Sequence, residues 1–115
     1  MLLKQCYAAI KEEDPEAEVL GISTAGIDMD FIRLCLAADA PLDILTIHPY
    51  RGYFSEQMFM RELREVAAIV DNKSVWITEM GWSTQVGASH ERRQAQLLAR
   101  CYMSAVASGA CQNVS

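Results

Sequence analysis

No apolar run in this sequence of 115 residues approaches the ~20 residues that a membrane-spanning helix needs, which excludes an integral helical membrane protein. Positive charge is scarce as well, with 10 Lys and Arg against 15 Asp and Glu and a net charge of −5. A protein that reads a nucleic-acid backbone needs clustered Lys and Arg, so that class is excluded and neutral or cationic ligands fit better. Arg92, Arg93 and Arg100 lie in a helical pattern beside Glu91 and read as a solvated helix face. With 51% hydrophobic and 22% charged residues, the chain is neither disordered nor fibrous, and its length suits one globular domain over 1–115.

Other absences narrow the chemistry. Cys6, Cys35, Cys101 and Cys111 form no C-x-x-C pair, and three of them fall inside apolar helical patterns, so buried, reduced thiols are expected rather than a disulfide framework or a zinc site. His48, His90 and Glu79 lack compact ligand spacing, so no metal is predicted. "GWSTQVG" is not a nucleophile elbow, and "GISTAG" has the wrong glycine spacing for a dinucleotide fingerprint, so no cofactor is predicted. The opening "MLLKQCYAAIKEED" makes a poor secretion signal because Lys4 and Gln5 break its apolar stretch; localisation stays open. It reads instead as the inside of an amphipathic helix, which suggests a fragment.

What is present alternates between two periods. Leu2 to Glu13 has helical spacing with Leu3, Cys6, Tyr7 and Ile10 on one stripe, and Asp14-Pro15 ends it. Val19 to Ser23 reads as a short buried strand. Asp28 caps a helix over Met29 to Ala38, with Phe31, Ile32, Leu34 and Cys35 on its buried side. Asp43 to His48 is a strand covered on both faces. Ser55 caps a third helix, Glu56 to Val70, whose Phe59, Leu63, Val66 and Val70 recur at three and four. After an Asp71-Asn72-Lys73 turn comes the strand "SVWIT". Ser89 caps a fourth helix, His90 to Ser108, with Leu98, Cys101, Tyr102 and Ala105 inward and Gly109 as its stop. "ACQNVS" reads only as the approach to another strand. Helices and strands alternating in this way predict a parallel sheet, as an open doubly wound sheet or as part of a (β/α)₈ barrel.

Two strands end in conspicuous residues at their carboxyl ends, where α/β proteins gather their ligand chemistry: "IHPY" supplies His48 and Tyr50, and "ITEMGW" supplies Glu79 and Trp82. A carboxylate that follows Val75, Trp76 and Ile77 either is solvated at the strand end or has a partner or a catalytic task. His48 reads as a hydrogen-bonded core histidine or as a site residue. Trp82 reads as packing under the following helix or as a platform for the apolar face of a sugar ring.

With "LDILTIHPY", "SVWITEMGWST" and "ERRQAQLLARCYMSAVASG", the chain resembles the retaining glycoside hydrolases of clan A, most nearly its cellulase-like and family 39 β-xylosidase-like members. The resemblance implies a partial (β/α)₈ barrel running from about the fourth helix through the seventh, with the fifth, sixth and seventh strands, and without strands one to four or strand eight. It implies that Glu79 is the nucleophile, that His48 and Tyr50 are its neighbours in the substrate cleft, and that Trp82 is a wall or cover. The family's acid/base glutamate usually follows an Asn, and no Asn-Glu pair occurs in this sequence. The partners implied are a carbohydrate substrate and a missing amino-terminal half of the barrel. A noncatalytic carbohydrate-binding or pseudo-enzyme module is the rival expectation.

Overall fold

The computed structural model describes residues 2–85 and 90–115. Helix α1 (Leu2–Glu13) leads to strand β1 (Leu20–Gly21), then helix α2 (Met29–Ala37), strand β2 (Ile44–Ile47), helix α3 (Glu56–Ile69), strand β3 (Ser74–Ile77), helix α4 (Glu91–Ser108) and strand β4 (Asn113–Val114). The strands form one parallel sheet in the order β1-β2-β3-β4. Each crossover moves one place in the same direction. A doubly wound sheet must reverse that direction, whereas a barrel wall advances continuously. The four-stranded parallel α/β sheet is consistent with a partial TIM-barrel-like arc. It carries one strand more than expected: the "approach" at the end of the chain already pairs, Trp76 opposite Asn113 and Ile77 opposite Val114.

Register divides the sheet into two faces. Leu45 lies opposite Val75, and Ile47 opposite Ile77, and all four join the main core with Phe59, Leu63 and Val66 of α3 and Leu97, Cys101 and Ala105 of α4. The alternate residues point the other way: Ile44 opposite Ser74, and Thr46 opposite Trp76. All of Ile44–Ile47 is buried, as expected of a strand covered on both faces. Helix α3 buries the predicted Phe59, Leu63 and Val66, with Val70 as its C-cap. Ser55 occupies its N-cap position without a side-chain cap bond, while Asp28 caps α2 by accepting from the Phe31 N–H at 2.9 Å.

Strand β1 is shorter than the predicted Val19 to Ser23 because Ile22 adopts φ +67°, a left-handed conformation that a β-branched residue enters only at a cost. The chain then rejoins the sheet through Ser23, whose hydroxyl lies 2.5 Å from the Thr46 hydroxyl. A sheet this narrow at β1 offers its helices little to cover. Of the side expected to be buried on α2, only Ile32 is; Phe31 and Leu34 are exposed. Helix α1 buries nothing: Leu3 and Tyr7 are half-buried, while Cys6 and Ile10 are exposed. On α4 the inward set is Leu97, Cys101, Ser104, Ala105 and Ser108, with Tyr102 exposed rather than inward. Gly109 ends α4 in the left-handed conformation at φ +67°, as its type suggested. The expected Ser89 cap lies outside the described residues.

Helix α1 is held by polar contacts. Asp43 accepts from the Val19 N–H at 2.8 Å and from the Tyr7 hydroxyl at 2.8 Å, and pairs with Lys11 at 2.9 Å. The Val19 N–H, then Lys11 and Tyr7, hold its carboxyl down at about 2 against the opposing effect of burial. A depressed folded-state pKa means that the unfolded chain binds the proton more readily, so stability rises with pH through that window. The contribution is complete above the ordinary carboxylate range and is lost as pH falls through about 2. Asp43→Asn is expected to lower the melting temperature by several degrees at neutral pH and to flatten its acid dependence, as read by thermal melts across that range.

The thiols differ from the expectation of uniform burial. Cys101 is buried, Cys35 and Cys111 are half-buried and Cys6 is exposed; all are free. Burial pushes the Cys101 thiol up to about 11 and the Cys111 thiol, with Cys101 nearby, up to about 12. Thiolate is the reactive form. Alkylation of the native protein at mildly alkaline pH should therefore mark Cys6 first and leave Cys101 and Cys111 until unfolding, a pattern that peptide mass mapping reads directly.

Candidate active site

Strands β2 and β3 are neighbours in register, so the residues that follow Ile47 and Ile77 emerge side by side at one end of the sheet. His48 continues the face of Thr46, and Thr78 that of Trp76. The two meet: His48 Nε2 lies 2.9 Å from the Thr78 hydroxyl. The backbone of His48 is laced to the loop after β1. Gly26 N–H donates to the His48 carbonyl at 2.7 Å, and His48 N–H donates to the Thr24 carbonyl at 3.3 Å. Gly26 makes this approach at φ +106°, a conformation that suits glycine.

Glu79 follows at once. Its Oε2 accepts from the Tyr50 hydroxyl at 2.9 Å and lies 3.7 Å from His48 Nδ1, an ion pair whenever the imidazole is protonated. The carboxylate is 56% exposed, so it faces an open mouth. The hydrogen bond to Glu79 raises the Tyr50 pKa, with smaller contributions from burial and from the charge of Glu79, keeping the phenol a proton-bearing donor. Tyr50 and His48 also meet edge-on, with ring centroids 6.5 Å apart. His48, Tyr50 and Glu79, singled out as strand-end residues of two separate segments, thus share one carboxylate oxygen.

Trp82 is placed differently from the expectation of a sugar-facing wall. Its side chain is 9% exposed and belongs to the core, meeting Phe54 edge-on at 5.7 Å between centroids. Its carbonyl accepts from Gln94 Nε2 of α4 at 2.5 Å, which ties the chain after Glu79 to the helix. The indole N–H has no partner among the described residues. Packing under the following helix governs this side chain because Phe54 and α4 enclose it.

Thr78 is the contact that sequence reading did not single out. Its signal was present in the alternation: a polar residue directly before Glu79 takes the same sheet face as Trp76. Among the described residues, no three His, Cys, Asp or Glu side chains gather as a metal would require, and no helix is long and apolar enough to cross a membrane.

The family model of the glycosyl hydrolase catalytic core matches residues 28–107, well over half of the chain. The chain belongs to that family. No curated protein and no solved structure matches it significantly. The matched span contains His48, Tyr50, Glu79 and Trp82, so the glycosyl hydrolase core includes the carboxylate, its hydrogen-bond donor Tyr50 and the nearby His48. Most glycoside hydrolases work with a pair of Asp or Glu carboxyl groups flanking the glycosidic bond. Glu79 stands just past the carboxyl end of β3.

Proposed function

We propose that this glycosyl hydrolase core belongs to a retaining enzyme of the clan A type that cleaves β-glycosidic bonds in plant-type polysaccharides or oligosaccharides by double displacement, with Glu79 as nucleophile. The observation that carries the reading is Glu79 at the carboxyl end of β3 with Tyr50 and His48 on a single oxygen. That arrangement holds Oε2 and leaves Oε1 to attack the anomeric carbon. The carboxylate–carbon bond forms as the glycosidic bond breaks, and water later displaces the carboxylate. The Tyr50 donor orients the nucleophile and stabilises its charge when it leaves.

A retaining site needs a second carboxyl group ~5–5.5 Å from the first, to protonate the leaving oxygen and then to activate water. In this reading that group comes from a complementary segment of barrel wall, bringing the remaining strands. The exposed apolar residues Phe31 and Leu34 of α2 and Met103 and Val106 of α4 are the surface such a complement would cover. Acid/base assistance contributes ~10²–10⁴-fold, so natural substrates should turn over at most slowly on this chain alone.

A deoxyfluoro β-xylosyl or β-glucosyl fluoride tests the nucleophile directly, because fluoride leaves without protonation. The expected result is one added sugar mass, mapped to the peptide that holds Glu79. A label on another carboxylate would overturn the assignment. Sugar binding that survives Glu79→Gln, with no labelling of the wild type, would support the rival reading of a noncatalytic carbohydrate-binding module. The exposure of Glu79 is the observation that keeps that rival in play.

A further inference from the structure

Thr78 stands directly before Glu79, and the chemistry assigned to Glu79 makes no use of its hydroxyl. It follows Ile77 at the end of β3, on the sheet face that also carries Thr46 and His48. Its one side-chain hydrogen bond among the described residues is to His48, with the hydroxyl oxygen 2.9 Å from Nε2. The hydroxyls of Ser23 and Thr46, 2.5 Å apart, satisfy each other, and Thr46 donates onward to the Gly21 carbonyl at 3.1 Å. Neither competes with Thr78 for the imidazole.

The backbone of His48 is fixed from both sides. Pro49 confines the residue before it to extended conformations, and the Thr24 carbonyl and the Gly26 N–H bracket its peptide groups. The side chain is 19% exposed, so the ring is largely enclosed as well. What remains to be decided is the position of one proton. A neutral imidazole carries it on Nδ1 or on Nε2, and the other nitrogen is then an acceptor. Nδ1 lies 3.7 Å from Glu79 Oε2, and an ionised carboxylate only accepts. A lone pair on Nδ1 would face the lone pairs of Glu79, whereas an N–H there is attracted to them. Glu79 and Tyr50 are the titratable groups that meet the ring, and Tyr50 already donates to the same Oε2. A proton on Nδ1 leaves Nε2 bare, and the Thr78 hydroxyl is the group in place to donate to it.

We infer that Thr78 is a positioning residue for Glu79, acting through His48. Its hydroxyl donates to Nε2, holds the imidazole proton on Nδ1 and so aims an N–H at the oxygen that Tyr50 also engages. Free histidine favours the opposite tautomer, so the hydroxyl overrides the ring's own preference: the hydrogen bond made by one ring nitrogen sets the state of the other. The carboxylate then has one oxygen flanked by two donors and the other open to an anomeric carbon. The effect on rate rests on the reading of Glu79 as nucleophile. When water displaces the carboxylate, charge returns to Glu79, and an N–H already aimed at it stabilises that charge as it forms. Serine would serve in place of threonine, since only the hydroxyl is needed. Valine copies the shape of threonine without the donor.

Heteronuclear NMR of the imidazole nitrogens in the full chain reads the tautomer directly, with no sugar present. Two histidines occur, and His90→Gln, at an N-cap position where the side chain makes no cap bond, leaves His48 alone in the spectrum. At about pH 8.5, well above the ordinary histidine value of ~6.5, the proton should sit on Nδ1. Thr78→Val should move the population towards a proton on Nε2, and Thr78→Ser should keep the wild-type pattern. With a dinitrophenyl β-xyloside, whose leaving group needs no acid, Thr78→Val should lower kcat about tenfold with KM little changed, the rate equivalent of one hydrogen bond. Thr78→Ser should recover most of that loss. A proton on Nε2 in the wild type, or a tautomer untouched by Thr78→Val, would overturn the inference even if the deoxyfluoro sugar labels Glu79. Where that label forms, a kcat untouched by Thr78→Val would overturn it too. A proton on Nδ1 that follows the Thr78 hydroxyl, without the label, would uphold the hold of Thr78 on the imidazole while removing Glu79 as nucleophile.

Discussion

Glu79→Gln is expected to lower the release of dinitrophenolate from a dinitrophenyl β-xyloside or β-glucoside by more than about 10³-fold, on the scale of removing one member of a catalytic unit. The substrate is chosen for its leaving group, which departs as a stable anion and needs no acid. The step then depends on the carboxylate that attacks the anomeric carbon. Glutamine matches the shape of Glu79 and can still accept from the Tyr50 hydroxyl, so a loss of rate would report the missing nucleophile rather than a collapsed site. Azide extends the test because it attacks without a general base. With Glu79 present, two displacements should yield the β-glycosyl azide: the carboxylate bond forms as phenolate leaves, then breaks as azide enters. In Glu79→Gly, azide occupies the vacated position and attacks once, which should yield the α-glycosyl azide. Product stereochemistry by NMR reads the outcome, and an α product from the wild type would exclude double displacement.

Phe59→Ala is expected to cost about 3–5 kcal/mol, the range for truncating a fully buried aromatic residue. Set against a total stability of ~5–15 kcal/mol, that is a large fraction of what holds the fold together. Phe59 is wholly buried where α3 meets the sheet, touches Phe54 and underlies the Arg51 guanidinium. Its removal opens a cavity in the main core and unseats the loop that carries Tyr50 and Tyr53. Chemical denaturation followed by circular dichroism measures the loss. Phe59→Leu should recover a large part of it, because this core position needs apolar volume more than aromaticity. A midpoint unchanged in Phe59→Ala would mean that α3 is not docked on the sheet as described.

The elements that packing constrains on two sides were legible in the sequence. The α3 stripe of Phe59, Leu63 and Val66 is buried as its spacing requires, and Ile44–Ile47 is buried throughout, because each is covered by neighbours that the chain itself supplies. Periodicity misled where a helix had an apolar stripe but too little sheet to lay it on. Leu34, Cys6 and Tyr102 follow helical spacing as well as Phe59 does, yet Leu34, Cys6 and Tyr102 remain exposed. Periodicity records which side chains would pack, and only the tertiary structure supplies a surface to receive them.

The site divides in the same way. Residue type and strand-end position, with the family's sequence pattern, singled out His48, Tyr50 and Glu79 as candidates, since α/β folds gather ligand chemistry at the carboxyl ends of their strands. Their convergence on Glu79 Oε2 required the parallel register of β2 and β3, a pairing between segments about thirty residues apart. The burial of Trp82 required Phe54 and α4 to close over it, a competition between core and mouth that local sequence does not express. The sequence by itself determined the alternating α/β order, the core stripe of α3 and the chemical character of the strand ends, because these follow from local spacing and side-chain type. The direction of the strand order, the shared carboxylate oxygen and the inward turn of Trp82 were decided by the tertiary structure, because each depends on which distant residues occupy the space alongside.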